Sequence, residues 1–175
     1  RQAARTPHAP ELSYVVPGAH WVIDRIGRAL TMALSKQCGV RARVTTDPRS
    51  ISGHIVHYGE LWSFLSNLDE PQPERNTVVA TVYHGDRDGK VPELRRAIDR
   101  FLAHAHIPAR IVTASRLMET RLLRWGVPRE RLVRLPLGVD CARFMPASPE
   151  RRQQQRARLG IPKHAVCVGS FQKDG

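Results

Sequence analysis

The residue best suited to chemistry is His84, which follows a run of β-branched and apolar residues from Thr77 to Tyr83. Such a run predicts a buried central strand, and the strand carries its last residues to one edge of a sheet. An imidazole at that edge can hydrogen-bond a sugar hydroxyl or exchange a proton near neutral pH. Gly85 and Asp86 lie beside it and join the candidate site. The alternative is a histidine that caps the strand end by bonding backbone.

A second candidate segment, Pro17-Gly18-Ala19-His20, follows the first apolar run of the chain. Because Gly18 has no Cβ, backbone N–H groups at a helix start can approach an anion or a sugar hydroxyl closely. Neither GxGxxG nor GxxxxGK[ST] occurs, so dinucleotide-binding and P-loop interpretations lose support. We expect Gly18, Ala19 and His20 to contact substrate. The alternatives are an ordinary turn at Gly18 and a surface or packing role for His20.

Ser115 and Arg116 follow a further predicted strand at 110–113 and complete the candidate substrate site. Ser115 is also a typical N-cap for the helix after it, and no GxSxG elbow marks it as a nucleophile. Arg116, Arg121 and Arg124 recur along that helix. They could hold phosphate or lipid headgroups, and the alternative is a solvated basic face.

The elements that position these residues alternate in type along the chain. Apolar and β-branched runs predict strands at 12–16, 40–46, 54–57, 77–83, 110–113 and 131–135. Helical periodicity predicts helices at 19–38, 61–68, 92–105, 115–125 and 148–159. Parallel strands need crossovers, which we expect helices to supply, so the pattern predicts a Rossmann-like, doubly wound α/β fold with a parallel sheet. Ligands in such folds bind beyond the carboxyl ends of the strands.

The charge of the chain is strongly positive and uneven. Its 175 residues carry a formal net charge of +12, and residues 91–175 hold 17 basic against 7 acidic side chains. A basic excess favours anionic partners, namely phosphorylated ligands, anionic lipid headgroups or nucleic acid. A basic face that only meets solvent is the alternative.

Cysteine and hydropathy patterns exclude several classes. The three cysteines, Cys38, Cys141 and Cys167, are scattered, which is typical of a reducing compartment. No Cys and His spacing matches a zinc site, so we expect no metal. Apolar runs are far shorter than the roughly 20 residues that cross a bilayer. The run from Ala165 to Phe171 predicts one more buried strand.

Several short segments occur in an order that resembles a known family. They are Ile111-Val112-Thr113-Ala114-Ser115, Trp125-Gly126-Val127-Pro128, Pro136-Leu137-Gly138-Val139-Asp140 and Phe144-Met145-Pro146. Leu159-Gly160-Ile161-Pro162 and Val168-Gly169-Ser170-Phe171 follow. Their wording and spacing closely resemble the end of the N-terminal domain, the interdomain linker and the next strand of family 4 glycosyltransferases.

This resemblance implies a GT-B fold, in which two Rossmann-like domains face each other across a cleft. Residues 1–146 would form the N-terminal, acceptor-side domain. Residues 147–175 would form the linker helix and the first strand of a truncated C-terminal, donor-binding domain. The resemblance also implies metal-independent sugar transfer from a nucleotide-sugar with retention of anomeric configuration. These 175 residues alone are then expected to be inactive, because the leaving diphosphate would lack its cationic cradle.

The same resemblance assigns roles to particular residues. Gly18 matches the loop that faces the donor phosphate or the acceptor, and His84 matches the catalytic histidine near the transferred sugar. Ser170 and Lys173 match the start of a donor-phosphate loop. The chain has one glycine where the family often has two, and Ser170 where the family has Arg.

The expected partners follow from these roles. They are a nucleotide-sugar co-substrate with no other cofactor, a carbohydrate or lipid-linked acceptor, and peripheral contact with an anionic membrane, without nucleic acid. The location implied is cytoplasmic, at the inner membrane face. Two alternatives stay open: a non-enzymatic anion- or nucleic-acid-binding α/β module, and a non-transferring GT-B relative such as a nucleotide-sugar epimerase.

Overall fold

The structure is a computed structural model, and it describes residues 11–18, 21–69 and 75–169. Within those ranges the strands are β1 (Glu11–Val15), β2 (Arg41–Thr45), β3 (Ile55–Tyr58), β4 (Thr77–Thr81), β5 (Arg110–Thr113) and β6 (Leu132–Arg134). The helices are α1 (Val22–Cys38), α2 (Leu61–Leu65), α3 (Pro92–Ala103), α4 (Arg116–Arg124) and α5 (Pro149–Arg158). A short 3₁₀ turn, Arg129–Arg131, precedes β6.

The six strands form one sheet in the order β2-β1-β3-β4-β5-β6, and every neighbouring pair is parallel. The predicted Rossmann-like α/β fold with a parallel sheet is therefore confirmed. The direction in which the sheet grows reverses between β1 and β3, which makes that point the topological switch where doubly wound folds bind ligands.

One crossover lies wholly within the described residues and contains no helix. This agrees with the predicted elements, which include no helix between the strands at 40–46 and 54–57. The chain passes from β2 across β1 to β3 through residues 46–54, which form turns rather than a helix. Asp47 accepts hydrogen bonds from the backbone and side chain of Arg49, and Ile51 donates to the carbonyl of Pro48. These local bonds satisfy the backbone in place of helical bonds, so this parallel connection forms without a helix.

The two faces of the sheet pack against different helices because successive strand residues point to opposite sides. Helices α2, α3 and α4 cover one face, where the core contains Phe64, Ile98, Phe101, Met118 and Leu122 together with Val56, Val78 and Ile111. Helix α1 packs on β1 and β2 from the other side, where the smaller core contains Tyr14, Val16 and Ile23, with Ile26, Leu30, Val44 and Tyr83 at its margin.

The helix ends follow the predicted capping signals. Ser115 accepts a hydrogen bond from the Met118 amide at 3.1 Å, and Ser148 accepts one from the Arg151 amide at 3.2 Å. Gly39 follows α1 in the left-handed conformation, at a φ of 64°. These caps satisfy backbone groups that the helices leave unpaired.

Contacts divide the chain into two units, Arg1–Leu137 and Gly138–Gly175. In the second unit Arg156 of α5 donates to the carbonyls of Pro162 and Ala165. The predicted strand at its end is wrong for residues 165–169, which are irregular and leave Val166 and Val168 exposed. A strand forms only beside a hydrogen-bonding neighbour, and no described residue supplies one here. The domain boundary after residue 146 stays a prediction.

Candidate functional site

The candidate site lies at the carboxyl edge of the sheet, where the loops after β1, β3, β4 and β5 meet. Backbone hydrogen bonds continue the strand pairing past the ends of the strands. Gly59 donates to the carbonyl of Val15 at 2.9 Å, and Val82 donates to the carbonyl of Val112 at 2.8 Å. The topology therefore brings Gly18, His84–Asp86 and Ser115–Arg116 to one edge. Their roles in binding remain predictions.

Gly18 adopts a left-handed backbone conformation, with a φ of 81°. A Cβ at this position would lie 3.4 Å from Cγ2 of Thr46, and a side chain would also be strained by the backbone angle. Gly18 thus forms part of the wall of a cavity of about 360 Å³ between the carboxyl ends of β1 and β2. Ala19 and His20 lie outside the described residues, as do Ser170 and Lys173.

The His84–Asp86 loop leaves β4 with the His84 side chain exposed. Gly85 is buried against α3, where an added Cβ would lie only 2.4 Å from Cδ1 of Ile98. Ile98 is fully buried and cannot move aside without disturbing the core. Close packing of the glycine backbone therefore sets the path of the chain immediately after His84.

Arg121 of α4 holds the same loop from the other side. Its Nη1 donates to the Gly85 carbonyl at 2.7 Å, and its Nη2 donates to Oδ2 of Asp86 at 2.8 Å. We name these three residues the β4 clamp. Neither predicted role for Arg121, a phosphate ligand or part of a solvated face, included this contact, which depends on tertiary packing. Phosphate binding by Arg121 stays a prediction. Arg116 and Arg124 are exposed.

Ser115 has the capping role that was its alternative. Its hydroxyl oxygen accepts a hydrogen bond from the Met118 amide, and Ser115 is exposed at the start of α4. A capping hydroxyl keeps its own O–H available as a donor. Contact with a ligand is thus compatible with the cap.

Behind the edge, a polar cluster lies under α1. Tyr14 lies beside Tyr83, and burial, followed by the neighbouring Tyr83, raises the pKa of Tyr14. Nε2 of His57 lies 2.7 Å from Oγ1 of Thr81, and the His57 ring meets the Tyr14 ring edge-on with centroids 4.8 Å apart. Burial lowers the pKa of His57 to about 4. This cluster supports the end of β4, from which His84 extends.

The sequence pattern placed His57 in the predicted strand 54–57 but did not identify these residues as supports of the site, and the observed strand extends one residue further, to Tyr58. It also missed Gly27 and Gly59, where a Cβ would come within 2.6 Å and 2.5 Å of the Tyr14 ring. Only the pairing of β1 with β3 brings Gly59 to that ring. A spacing of four between Asp24 and Arg28 was readable in the sequence as a helix-face ion pair.

Across the described ranges, no three His, Cys, Asp or Glu side chains lie close enough together to hold a metal ion. Within the same ranges no helix is both long and apolar enough to cross a lipid bilayer. Comparison of the sequence with models of known protein families finds no match. Comparison with curated protein sequences likewise finds none.

Proposed function

We propose that this chain is the acceptor-side domain of a retaining glycosyltransferase that uses a nucleotide-sugar. The observation that carries the proposal is the exposed His84 at the carboxyl edge of an all-parallel sheet, beside a loop held by the β4 clamp. The proposal also depends on the family resemblance of the segments from Ile111 onward. The fold is consistent with that resemblance.

In this proposal His84 contacts the sugar or the acceptor hydroxyl and holds a proton there, which is the chemistry an exposed imidazole offers near neutral pH. The clamp keeps that imidazole in place because Gly85 and Asp86 follow it directly. Gly18 lets the ligand approach the backbone closely. Ser170 and Lys173 would contact the donor diphosphate, whose developing negative charge needs cationic partners.

The proposed acceptor is a carbohydrate or a lipid-linked carbohydrate, reached from the cytoplasmic side of the membrane. The basic second half of the chain supports this, since an anionic bilayer surface attracts clustered Lys and Arg side chains. The same charge favours a second candidate function, a non-enzymatic module that binds anions or nucleic acid.

A sugar-transfer assay on the full-length product of the gene tests the proposal. Labelled nucleotide-sugars are offered with carbohydrate and lipid-linked acceptors, and the anomeric configuration of the product is determined. We expect His84→Ala to reduce transfer by about 10²-fold to 10⁴-fold, the range typical of a lost proton-transfer group.

His106→Ala is the matched control, because this exposed histidine precedes β5 and so lies at the amino edge of the sheet. Its transfer rate should equal that of the unmodified protein. Equal rates for His84→Ala, or no transfer from any nucleotide-sugar, would reject the proposal. Conversion of the donor without an acceptor would instead indicate an epimerase.

A further inference from the structure

The cavity between the carboxyl ends of β1 and β2 has the dimensions of a small-molecule site. Its volume is about 360 Å³, within the range of about 300–1,000 Å³ that is usual for such sites. Val16 and Val44 contribute apolar surface to it, and Gly18 and Thr46 line it just after the ends of β1 and β2. The first turns of α1 contribute Asp24 and Arg28, which form an ion pair.

With respect to the described residues, Asp24 retains unused hydrogen-bonding capacity although it is buried. The residue is 8% exposed, and among the described residues only Nε of Arg28 donates to its carboxylate, at 3.1 Å to Oδ1 and 2.9 Å to Oδ2. A carboxylate offers about four acceptor positions. The carboxylate can therefore accept further O–H groups from a molecule in the cavity.

Arg28 supplies the complementary donors. Its Nε is used by Asp24, while its side chain is 68% exposed and its two terminal nitrogens carry further N–H groups. The carboxylate and the guanidinium together have no net charge. A charged ligand thus gains little from the pair, whereas two neighbouring hydroxyls can donate to Asp24 and accept from Arg28 at once.

From these contacts we infer that the cavity binds a neutral polyhydroxylated ring, with Asp24 and Arg28 holding a pair of adjacent hydroxyls. The C–H faces of such a ring suit the apolar surface of Val16 and Val44. Gly18 lines the cavity with backbone alone, and its φ of 81° disfavours any side chain at this position. The inference rests on the proposed function and assigns the acceptor a neutral sugar or cyclitol ring at this position.

An NMR titration of the 175-residue chain tests the inference. The probe is methyl α-D-glucopyranoside, and tetrahydropyran is the matched ring without hydroxyls. We expect the glycoside alone to shift the amide signals of Gly18, Val44 and Thr46, with a dissociation constant on the order of 1 mM, as its size suggests. Inorganic phosphate, titrated separately, should leave these signals in place.

Asp24→Asn should weaken glycoside binding at least tenfold, because the amide replaces one acceptor oxygen by a donor. Asp99→Asn is the control: Asp99 of α3 forms an exposed ion pair with Arg87, and its loss should leave glycoside binding unchanged. If Asp24→Asn does not fold, Arg28→Gln serves instead, since its side chain is mostly exposed. Unchanged binding by the folded variant, or stronger shifts with phosphate than with glycoside, would overturn the inference.

The transfer assay separates this inference from the proposed function. If full-length enzyme with Asp24→Asn transfers sugar as fast as the unmodified enzyme, the inference about the cavity is rejected and the proposed function is kept. If the glycoside binds in the cavity but the protein has no transferase activity, the proposed function is rejected and the binding site in the cavity is kept.

Discussion

At the residue scale, His57 is held by neutral partners. Its Nε2 lies beside the hydroxyl of Thr81, and its ring packs on Tyr14, while α1 covers the strands next to it. Burial in these surroundings disfavours the imidazolium and lowers the pKa to about 4 from an ordinary value of 6.5. The structure therefore requires a neutral imidazole at this position.

This requirement predicts a loss of stability in mild acid. Between pH 6.5 and pH 4 the unfolded chain binds a proton at His57 and the folded chain does not, so the free energy of unfolding falls as the pH is lowered. The full effect is up to about 3 kcal/mol, reached near pH 4. Chemical denaturation at a series of pH values between 7.5 and 4 measures it.

His57→Gln should flatten the slope of that pH profile, because glutamine does not titrate and can still bond Thr81. His106→Gln should keep the full slope, since His106 is exposed. Identical slopes for all three proteins would show that His57 does not govern the acid sensitivity.

At the element scale, arginine side chains tie helices to loops and strand ends. Arg121 joins α4 to the loop after β4, and Glu119 of α4 pairs with Arg129 and Arg134, which joins the helix to the 3₁₀ turn and to β6. Hydrogen bonding from Arg129 lowers the pKa of Glu119. Arg131 donates to carbonyls of the loop that follows α3. Arg121 therefore bonds a loop at the carboxyl edge of the sheet, and Arg131 bonds a loop at its amino edge.

The clamp formed by Arg121 predicts a local effect on the loop. Arg121→Met removes both of its bonds and should cost about 1 kcal/mol of unfolding free energy, because the partners are partly exposed and water replaces the bonds in part. The amides of Gly85 and Asp86 should exchange hydrogen faster. Hydrogen-exchange NMR measures the loop directly.

Arg124→Met provides the comparison, since Arg124 lies one turn along the same helix and is exposed. Arg121→Lys should restore only part of the protection, because an ammonium lacks the fork that reaches two acceptors. Protection that is equal in all variants would mean that Gly85 packing alone orders the loop.

At the scale of the whole molecule, the net charge of +12 is almost unchanged by ion pairs within the chain, because each pair uses a carboxylate as well as an arginine. Many arginines form ion pairs with carboxylates of the same chain: Arg28, Arg41, Arg49, Arg87, Arg96, Arg121, Arg129 and Arg134. Such paired side chains are partly neutralised toward an outside anion. The basic side chains outside these pairs give the chain a positive field that attracts anionic surfaces in general.

This balance predicts how the chain responds to anionic partners. We expect it to sediment with vesicles that contain anionic lipid at 50 mM salt and not with neutral vesicles. Gel shifts with random oligonucleotides should appear at low salt and vanish near 150 mM, because salt weakens binding that depends on general charge attraction alone. A discrete nucleic-acid complex that persists at 150 mM would instead favour the binding module. Equal sedimentation with neutral and anionic vesicles would contradict the membrane proposal.

The sequence alone established the elements of the sheet and the edge that carries the candidate site. Period-two and period-3.6 patterns identified all six strands and the five helices of the described ranges, because each element buries one apolar side. Parallel pairing then brought Gly18, His84 and Ser115 to the same edge. Only the last predicted strand failed, since an apolar run forms a strand only where a neighbour exists.

The long-range contacts were decided by the tertiary structure. Three features join residues of different elements. They are the hydrogen bonds of Arg121 to Gly85 and Asp86, the contact of His57 with Thr81, and the cavity at Asp24. Local periodicity reports which side of an element is buried, because burial repeats with the backbone geometry. It does not report which distant polar group that side meets, because that depends on the order of strands and on where the ends of the helices pack.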